Sequence, residues 1–238
     1  MKYFTSDTHF AHPFVAALRG YIAPEYAEYS PEELRRLVKD KSSGVTWEQC
    51  VNTAEHDALI VANINRVVTE SDELYILGDL SAGGTRSFES ALTRLQQLNV
   101  PRRRRHLILG NHDDLGRGKE RGEALLRVFA DFTVMGATTI VGRHNVILSH
   151  FQFQHHFAEQ CDGLAANACS GKYAKNAPVD DGSTLLLHGH THAKEHFEFA
   201  NYRELNVGVD ANNFMPVSEI QVLQYFGKAY KELKNSAE

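Results

Sequence analysis

Residues 105–113 read RHLILGNHD, an apolar run that ends at a glycine and is followed by amide, imidazole and carboxylate side chains. The run is short and bounded by turn-forming residues, which predicts a buried β-strand over residues 105–110. Gly110 permits a sharp turn out of the strand because it lacks a Cβ atom. The stretch therefore predicts a strand whose carboxyl end presents polar side chains at the edge of a sheet.

Four further apolar runs, each predicted as a strand, end in the same kind of polar segment. They are residues 1–6 with Ser6-Asp7-Thr8-His9, residues 73–78 with Gly78-Asp79, residues 145–149 with Ser149-His150, and residues 184–188 with Gly189-His190-Thr191-His192. One residue separates Asp7 from His9, and an extended chain points both side chains in the same direction. Because sites of open α/β sheets form at the carboxyl ends of strands, we expect all five segments at one edge.

The stretches between these strands predict helices. Residues 51–69 and 87–98 each keep one apolar face, and residues 119–130 are a further helical candidate. Ser30, Pro31 and Glu33 form a capping sequence that predicts a helix over residues 31–40. Further strands are predicted over residues 133–141, 204–209 and 217–225. The alternation predicts an α/β fold with helices packed on a central sheet.

A length of 238 residues suits one domain that carries insertions. We expect a single domain over residues 1–238, with additions to a minimal core at residues 19–50 and 151–183. Each addition follows a strand-end motif, so each is placed to fold over a site and shape it. Ordinary surface excursions explain the same pattern equally well.

Composition and charge exclude several classes of protein. Hydrophobic residues make up 42% and charged residues 23%, which is typical of a soluble globular protein. Cys50, Cys161 and Cys169 are too scattered for a disulfide framework or a thiolate zinc site, which favours a reducing, cytoplasmic compartment. No signal peptide is expected, since residues 1–10 (MKYFTSDTHF) contain no apolar h-region, and no membrane partner is expected, since no apolar run approaches the ~20 residues that span a bilayer. A net charge of −5 gives no general reason to expect a polyanionic partner.

The polar segments supply nitrogen and oxygen ligands without a thiolate. Such a set suits Mn²⁺, Fe, Zn²⁺, Co²⁺ or Ni²⁺ better than Ca²⁺ or an iron–sulfur cluster. The candidate metal ligands are Asp7, His9, Asp79, Asn111, His150, His190 and His192. These are too many for one tetrahedral ion and fit two ions that share a carboxylate. Two ions roughly 3.5–4 Å apart form a clamp for in-line displacement at phosphorus.

The order of the segments, DTH, GD, GNHD, SH and GHTH from Asp7 to His192, resembles the calcineurin-like metallophosphoesterase superfamily. Residues 206–217 (NVGVDANNFMPV) also resemble the C-terminal segment of its small prokaryotic and phage-type members. The resemblance implies a four-layer α/β/β/α sandwich with the metal site at the carboxyl ends of strands, and two divalent cofactor ions, Mn²⁺ foremost. Residues 78–83 (GDLSAG) lack the longer charged motif of the phosphoprotein phosphatases, which argues against that branch.

The resemblance also implies a role for each metal-site position. One ion would be held by Asp7, His9 and His192, the other by Asn111, His150 and His190, and Asp79 would bridge the two. A water or hydroxide between the ions would be the nucleophile, its pKa lowered by the metals.

Four residues are candidates for contact with the substrate. His112 would bind the phosphate and protonate the leaving oxygen as a general acid, and Asn111 lies beside it. The group that orients His112 is not identified by the motif. His12 and Arg19 follow the first motif and are further candidates, with a turn role and surface decoration as the respective alternatives.

The resemblance implies the hydrolysis of nucleotide-type phosphodiesters, including cyclic phosphodiesters. The nucleophile would be a hydroxide that bridges the two metals. Phosphomonoesterase and nuclease are alternatives within the superfamily. A non-catalytic module that binds nucleic acid or another partner is less favoured, because all the ligand positions are filled. The basic run Arg102–Arg105 lies roughly 15 Å or more along the strand from Asn111, which favours a solvated loop over a nucleic-acid patch.

Overall fold

The computed structural model describes residues 1–113, 119–158, 172–199 and 202–236. Within these ranges the strands form two sheets, a five-stranded one and a four-stranded one. The strands are β1 (Lys2–Thr5), β2 (Glu73–Ile76), β3 (Arg105–Ile108), β4 (Asp131–Thr133), β5 (Ala137–Val141), β6 (His144–Leu148), β7 (Leu185–His188), β8 (Glu204–Asn206) and β9 (Val217–Ser218).

The first sheet has the order β4-β3-β2-β1-β9, and the second has the order β5-β6-β7-β8. Strands β1 to β4 are parallel and β9 is antiparallel, while β6, β7 and β8 are parallel and β5 is antiparallel. The sheets meet beyond the end of β1, where Ser6 forms a bridge with Gly208. The five motif-bearing strands are therefore divided between two sheets whose carboxyl ends converge, rather than lying in one central sheet.

Helices flank the sheets. They are α1 (Pro13–Leu18), α2 (Pro31–Lys39), α3 (Trp47–Cys50), α4 (Thr53–Val67), α5 (Thr85–Gln96), α6 (Lys119–Leu125) and α7 (Glu219–Ser236). The capping box predicted at the start of α2 is confirmed, since Ser30 Oγ accepts from the Glu33 N–H and the Glu33 carboxylate accepts from the Ser30 N–H. Two sheets flanked by helices confirm the predicted α/β class and are consistent with the expected sandwich.

Alternation along the strands of the first sheet separates two hydrophobic cores. Leu74 and Ile76 of β2 pack with α4 and α5 on one face, whereas Tyr75 and the following Leu77 belong to the core between the sheets. Leu148 and its neighbours on the second sheet close that inner core. Both cores remain apolar almost to the ends of the strands. The polar motifs follow directly after these apolar residues.

Two strand predictions are wrong in part. The strand predicted over residues 217–225 is limited to Val217–Ser218, and helix α7 follows it directly. Ser218 and Gln221 exchange backbone-to-side-chain hydrogen bonds as a capping box, which starts the helix. The strand predicted over residues 133–141 is two strands, β4 and β5, in different sheets.

The basic run is not a solvated loop throughout. Arg102–Arg104 form one 3₁₀ turn, and Arg105 opens β3 with a side chain that is buried. Its guanidinium donates to the carbonyl oxygens of Leu95, Leu98 and Val100, at and just beyond the C-terminus of α5. The Arg105 side chain therefore caps the C-terminal end of α5. Its guanidinium has five N–H donors, which match carbonyl groups that have no partner within the helix.

The two predicted additions each carry a small hydrophobic cluster. The cluster over residues 19–50 includes the buried Leu34 and Cys50, and it packs on α1. The described part of residues 151–183 packs Phe151, Phe157 and Ala177 together, and residues 159–171 lie outside the described ranges. Their role in shaping a substrate site stays a prediction. Across the described ranges no helix combines the length and the apolarity needed to cross a bilayer.

Candidate metal centre

The loops that follow β1 and β2 are hydrogen-bonded to each other and so hold their side chains at fixed positions. The Asp7 N–H donates to the Gly78 carbonyl at 3.1 Å, and the His9 N–H donates to the Asp79 carbonyl at 3.0 Å. These bonds extend the parallel pairing of the two strands beyond the sheet. The side chains of both motifs are therefore placed by backbone pairing rather than by flexible loops.

Two glycines permit a close approach that any side chain would block. A Cβ atom on Gly110 would overlap the Asp79 carboxylate, and one on Gly189 would overlap Ser6 Oγ and Asp7 Oδ2. The glycines noted in the motifs thus have a second function besides the turn. They allow neighbouring strand ends to bring carboxylates within contact of the adjacent backbone.

Five of the proposed ligands have a backbone in the left-handed region, where residues other than glycine are uncommon. They are Asp7 (φ 58°), His9 (φ 44°), Asp79 (φ 54°), His190 (φ 72°) and His192 (φ 56°). Such conformations cost of order 1–3 kcal/mol each and persist only where the surroundings impose them. The surrounding loop pairing imposes them here, and the result is that five side chains turn toward one another.

The first cluster of ligands is Asp7, His9 and His192, the three residues predicted to share an ion. Their donor atoms all lie within 4.8 Å of one another. His9 Nε2 is 3.2 Å from His192 Nε2, and His192 Nε2 is 4.0 Å from Asp7 Oδ1. Asp7 and His9 are buried, while His192 lines the edge of a cavity.

The second cluster contains His150 and His190 together with Asp79, again within 4.8 Å. His150 Nε2 is 3.2 Å from His190 Nδ1 and 3.0 Å from Asn111 Oδ1. The amide oxygen of Asn111 therefore points at the second cluster, as the prediction requires. His150 Nδ1 lies 2.7 Å from the Leu77 carbonyl and donates to it, so Nε2 is the nitrogen that faces the cluster and would bind an ion once its proton is released.

Asp79 stands between the two clusters. Its Oδ2 is 3.6 Å from His9 Nε2 and 3.4 Å from His150 Nε2. Its Oδ1 accepts from the His112 backbone N–H at 2.8 Å, which fixes the plane of the carboxylate. This is the geometry expected of a bridging ligand, with one oxygen aimed at both clusters and the other anchored to the backbone.

The donor set fits a pair of divalent ions. Within the described ranges, Asp7 Oδ1 and His9 Nδ1 are buried and have no hydrogen-bond partner. Buried polar atoms are normally satisfied, and an ion bound to Asp7 Oδ1 would satisfy it. Imidazole nitrogens and carboxylate oxygens converge without a thiolate, which suits first-row divalent ions.

Charges within the clusters shift the pKa values of their members in opposite directions. Burial alone would raise the pKa of Asp79, but the charge and hydrogen bond of His150 outweigh it, and the pKa lies well below its usual value. Burial lowers the pKa of His9 well below its usual value. Burial would also lower the pKa of His150, but the Asp79 charge raises it to about 9. Metal ions would displace the proton from His150, so their binding is coupled to proton release.

Asp113, the residue that follows His112, binds backbone groups of two loops. Its carboxylate accepts from the backbone N–H groups of Asp79 (2.7 Å), Leu80 (2.9 Å) and Gly110 (2.9 Å). It therefore ties the loop after β2 to the loop after β3. Burial and the Asp79 charge raise the pKa of Asp113 to about 6, while the N–H donors oppose that shift.

His112 and His12 both line a cavity of about 500 Å³, which residues of both clusters also line. The ring centroid of His112 is 5.4 Å from that of His9 and 6.3 Å from that of His12. Burial, followed by the charge of His112, lowers the pKa of His12 to about 4, so His12 is neutral at pH 7. The cavity thus brings both predicted substrate contacts to the metal clusters.

Arg19 also lines the cavity, but its guanidinium is engaged with protein groups. Its Nε and Nη2 lie 2.8 and 2.6 Å from the two carboxylate oxygens of Asp210. Asp210 in turn contacts His192 Nδ1 at 2.9 Å. Binding of substrate by Arg19 stays a prediction. Asp210 was not identified from the sequence, although it lies in the segment 206–217 that the resemblance singled out.

Comparisons with known proteins agree with this arrangement. A family model described as calcineurin-like phosphoesterase matches residues 3–211. The chain is 31% identical to the Gene 66 protein of Mycobacterium phage D29, over 92% of this chain and 93% of that protein. It is 27% identical to the Gene 66 protein of Mycobacterium phage L5, over 88% and 86% respectively. The crystal structure of the protein of unknown function AQ665 from Aquifex aeolicus covers 94% of this chain and 98% of its own, with a TM-score of 0.57 and 21% identity, and so shares the fold.

Proposed function

The chain belongs to the calcineurin-like phosphoesterase family of metal-dependent phosphoester hydrolases, and on that premise we propose that it hydrolyses phosphodiesters of the nucleotide type, cyclic ones included. The observation that carries the proposal is the position of Asp79 Oδ2 between His9 and His150, with three other donor residues on either side. Two divalent ions held there, Mn²⁺ foremost, would generate a hydroxide nucleophile and neutralise charge at phosphorus.

The proposed metal ligands form two sets around Asp79. Asp7, His9 and His192 would hold one ion, and Asn111, His150 and His190 would hold the other, with Asp79 shared. The carboxylate of Asp79 is kept ionised by His150, which favours cation binding at neutral pH. Asn111 directs its oxygen to the second cluster, which leaves its amide N–H₂ to donate to a phosphate oxygen.

His112 is the proposed general acid. Its backbone N–H is bonded to Asp79, so the residue is fixed to the bridging ligand itself, and its ring lines the cavity. A proton donor in this position can protonate the leaving oxygen on the side of the phosphate that faces the cavity. His12, whose ring centroid is 6.3 Å from that of His112, is neutral and can hydrogen-bond a phosphate oxygen without adding charge.

The shape of the cavity supports a diester over a monoester. Phe14, Val15 and Leu18 of α1 contribute apolar lining to the cavity, and Lys172 and Lys194 also line it. A monoester presents only one substituent on phosphorus, whereas a diester has a second group that would need such a lining. The cavity is also large enough, at about 500 Å³, for a ligand of nucleotide size.

The test is a metal-screened assay on the full chain. Bis-p-nitrophenyl phosphate, p-nitrophenyl phosphate, and 2′,3′- and 3′,5′-cyclic nucleotides are each offered with Mn²⁺, Zn²⁺, Co²⁺, Ni²⁺ or Mg²⁺. We expect the diesters to be hydrolysed with the higher kcat/KM and Mn²⁺ to support the highest rate. A higher kcat/KM for the monoester would overturn the diester preference, and no turnover with any ion would overturn the activity.

The role of His112 has its own variant. His112→Ala should reduce kcat by about 100- to 10,000-fold, because a general acid is lost, while the metal content is unchanged. The matched control is His144→Ala, since His144 is exposed at the start of β6 and should leave the rate unaltered. Loss of metal from His112→Ala would show that the residue is a ligand and not an acid.

A further inference from the structure

We propose that Asp210 and Arg19 are positioning residues for His192, and that the Asp7–His9–His192 cluster depends on this pair while the Asp79–His150–His190 cluster does not. The inference rests on the proposed function, since it concerns the same metal site. It assigns a role to the segment 206–217 that the catalytic residues leave unexplained.

The first step is the tautomer of His192. Asp210 Oδ2 lies 2.9 Å from His192 Nδ1 and accepts a hydrogen bond from it. The proton of a neutral imidazole is then on Nδ1, and the lone pair is on Nε2. His192 Nε2 is the atom that faces His9 Nε2 at 3.2 Å. Asp210 thus selects the tautomer that can bind an ion within the first cluster, and a carboxylate partner also raises the basicity of the ligand.

The second step is the fixation of Asp210 by Arg19. Two parallel hydrogen bonds, of 2.8 and 2.6 Å, join the guanidinium to both carboxylate oxygens. Bidentate pairing of this kind fixes the plane of the carboxylate as well as its distance. The Arg19 side chain is 4% exposed and that of Asp210 is 14% exposed, so water competes little with the pair.

The third step is the anchoring of Arg19 to the first motif. Its Nη2 also donates to the Asp7 carbonyl at 2.8 Å, and its Nη1 lies 3.0 Å from His56 Nε2. His56 Nδ1 in turn is 3.0 Å from Asp57, whose carboxylate accepts from the Ala11 N–H. The guanidinium is therefore anchored to the backbone of one proposed ligand, Asp7. At the same time it fixes Asp210, the hydrogen-bond partner of another, His192.

In the second cluster, the outer nitrogen of His150 is supported by the backbone rather than by a carboxylate. His150 Nδ1 bonds to the backbone carbonyl of Leu77, at the end of β2. Removing the Asp210 charge should therefore weaken one ion and leave the other in place. This selectivity separates a positioning role from a general loss of stability, which would weaken both.

The experiment is a titration of the metal-free full chain with Mn²⁺. Binding is monitored by calorimetry and by electron paramagnetic resonance. In Asp210→Asn we expect one of the two binding events to weaken about 10- to 100-fold, the range for loss of a partner of a metal-bound histidine. The signal of the exchange-coupled Mn²⁺ pair should give way to that of a single ion at concentrations that fill both sites of the parent chain. The matched control is Asp180→Asn, which breaks the bidentate pair of Asp180 with Arg203 outside both clusters.

A second variant protects the test against misfolding. Arg19→Ala should weaken the same binding event, and millimolar guanidinium should restore part of the affinity by occupying the vacated space beside Asp210. Thermal melting in EDTA establishes that each variant is folded.

Equal weakening of both ions in Asp210→Asn, or no more weakening than in Asp180→Asn, would overturn the proposal. Two tightly bound ions in a parent chain that hydrolyses no ester would overturn the proposed function and leave this inference standing. A parent chain that binds no Mn²⁺ would overturn both.

Discussion

The two ligand clusters use the same residue types but are supported in different ways. The second is held by backbone: Leu77 provides the carbonyl for His150, and N–H groups of the loops bind the carboxylates of Asp79 and Asp113. The first has a ligand, His192, that is held by a chain of ionisable side chains beginning at Asp210. Support from backbone is fixed once the sheets form, whereas support from side chains can be changed by a single substitution.

The two candidate clusters of one site can therefore differ in how their side chains are supported. The backbone-held cluster lies where β2, β3, β6 and β7 end. The side-chain-held cluster depends on residues from three distant parts of the chain, since Arg19 and Asp210 are 191 positions apart. We therefore expect substitutions near the two clusters to affect the two ions differently, and the following predictions test that expectation.

The largest effect on metal binding and activity is expected at Asp79, the proposed ligand that faces both clusters. Asp79→Ala removes the oxygen that faces both, so both ions should bind weakly and kcat/KM should fall by at least about 1,000-fold, equivalent to ~4 kcal/mol. Metal content after dialysis and Mn²⁺-dependent hydrolysis of a diester are the measurements. Asp131→Asn, at an exposed aspartate of β4, is the control. Retention of one tightly bound ion by Asp79→Ala would contradict a shared ligand.

An intermediate effect is expected for the backbone-held cluster. Asp113→Asn places an amide N–H₂ where one carboxylate oxygen accepts backbone donors, so at least one N–H loses its partner. We expect the free energy of unfolding in EDTA to fall by about 2–3 kcal/mol, measured by urea denaturation. The ion at Asp79, His150 and His190 should weaken more than the other. An unchanged urea midpoint would show that the Asp113 bonds contribute nothing to the loops.

The smallest effect is expected behind the loop that carries His190 and His192. Glu198 accepts hydrogen bonds from Thr191 Oγ1 and Asn206 Nδ2, and Glu198→Gln keeps an acceptor oxygen. Metal affinity at both clusters should therefore change less than about threefold, within ~0.6 kcal/mol. A tenfold change at either cluster would show that the charge of Glu198 matters to the ligands.

The same variant has a signed pH dependence. Burial raises the pKa of Glu198, so the folded chain holds its proton more tightly than the unfolded chain does, whose Glu pKa is about 4.3. The parent chain should then lose stability relative to Glu198→Gln as pH rises from about 4.3 through the raised value. Urea midpoints of both chains in EDTA measure the difference, and a difference that is constant with pH would contradict the raised pKa.

The sequence predicted the parts of the site that are local. Each ligand lies within a few residues of a strand end, and apolar runs followed by Gly-Asp or Gly-His are visible without a structure. The contacts of Asp113 and Asp210 were missed for a physical reason. They depend on how loops from separate strands pass each other, and no spacing along the chain encodes the distance from Asp210 to Arg19.

The errors in the fold have a similar origin. The start of α7 carried a capping signal in Ser218 and Gln221, but the apolar residues 217–225 are also compatible with a strand. Tertiary packing decides between them, because Val222 faces the core between the sheets as part of a helix. Arg105 was counted in a solvated basic run because of the run's distance from Asn111, whereas its position beside the end of α5 gives it buried partners.

The left-handed backbone at Asp7, His9, Asp79, His190 and His192 has an evolutionary consequence. Glycine at any of these positions would relax the chain by about 1 kcal/mol and would delete a ligand at the same time. In a population of variants screened for thermostability alone, early stabilising substitutions would therefore fall within the proposed metal centre, and catalytic activity would be lost first. These side chains are kept only under selection for catalytic turnover. A protein-engineering scheme that selects for stability alone should leave the five positions unchanged.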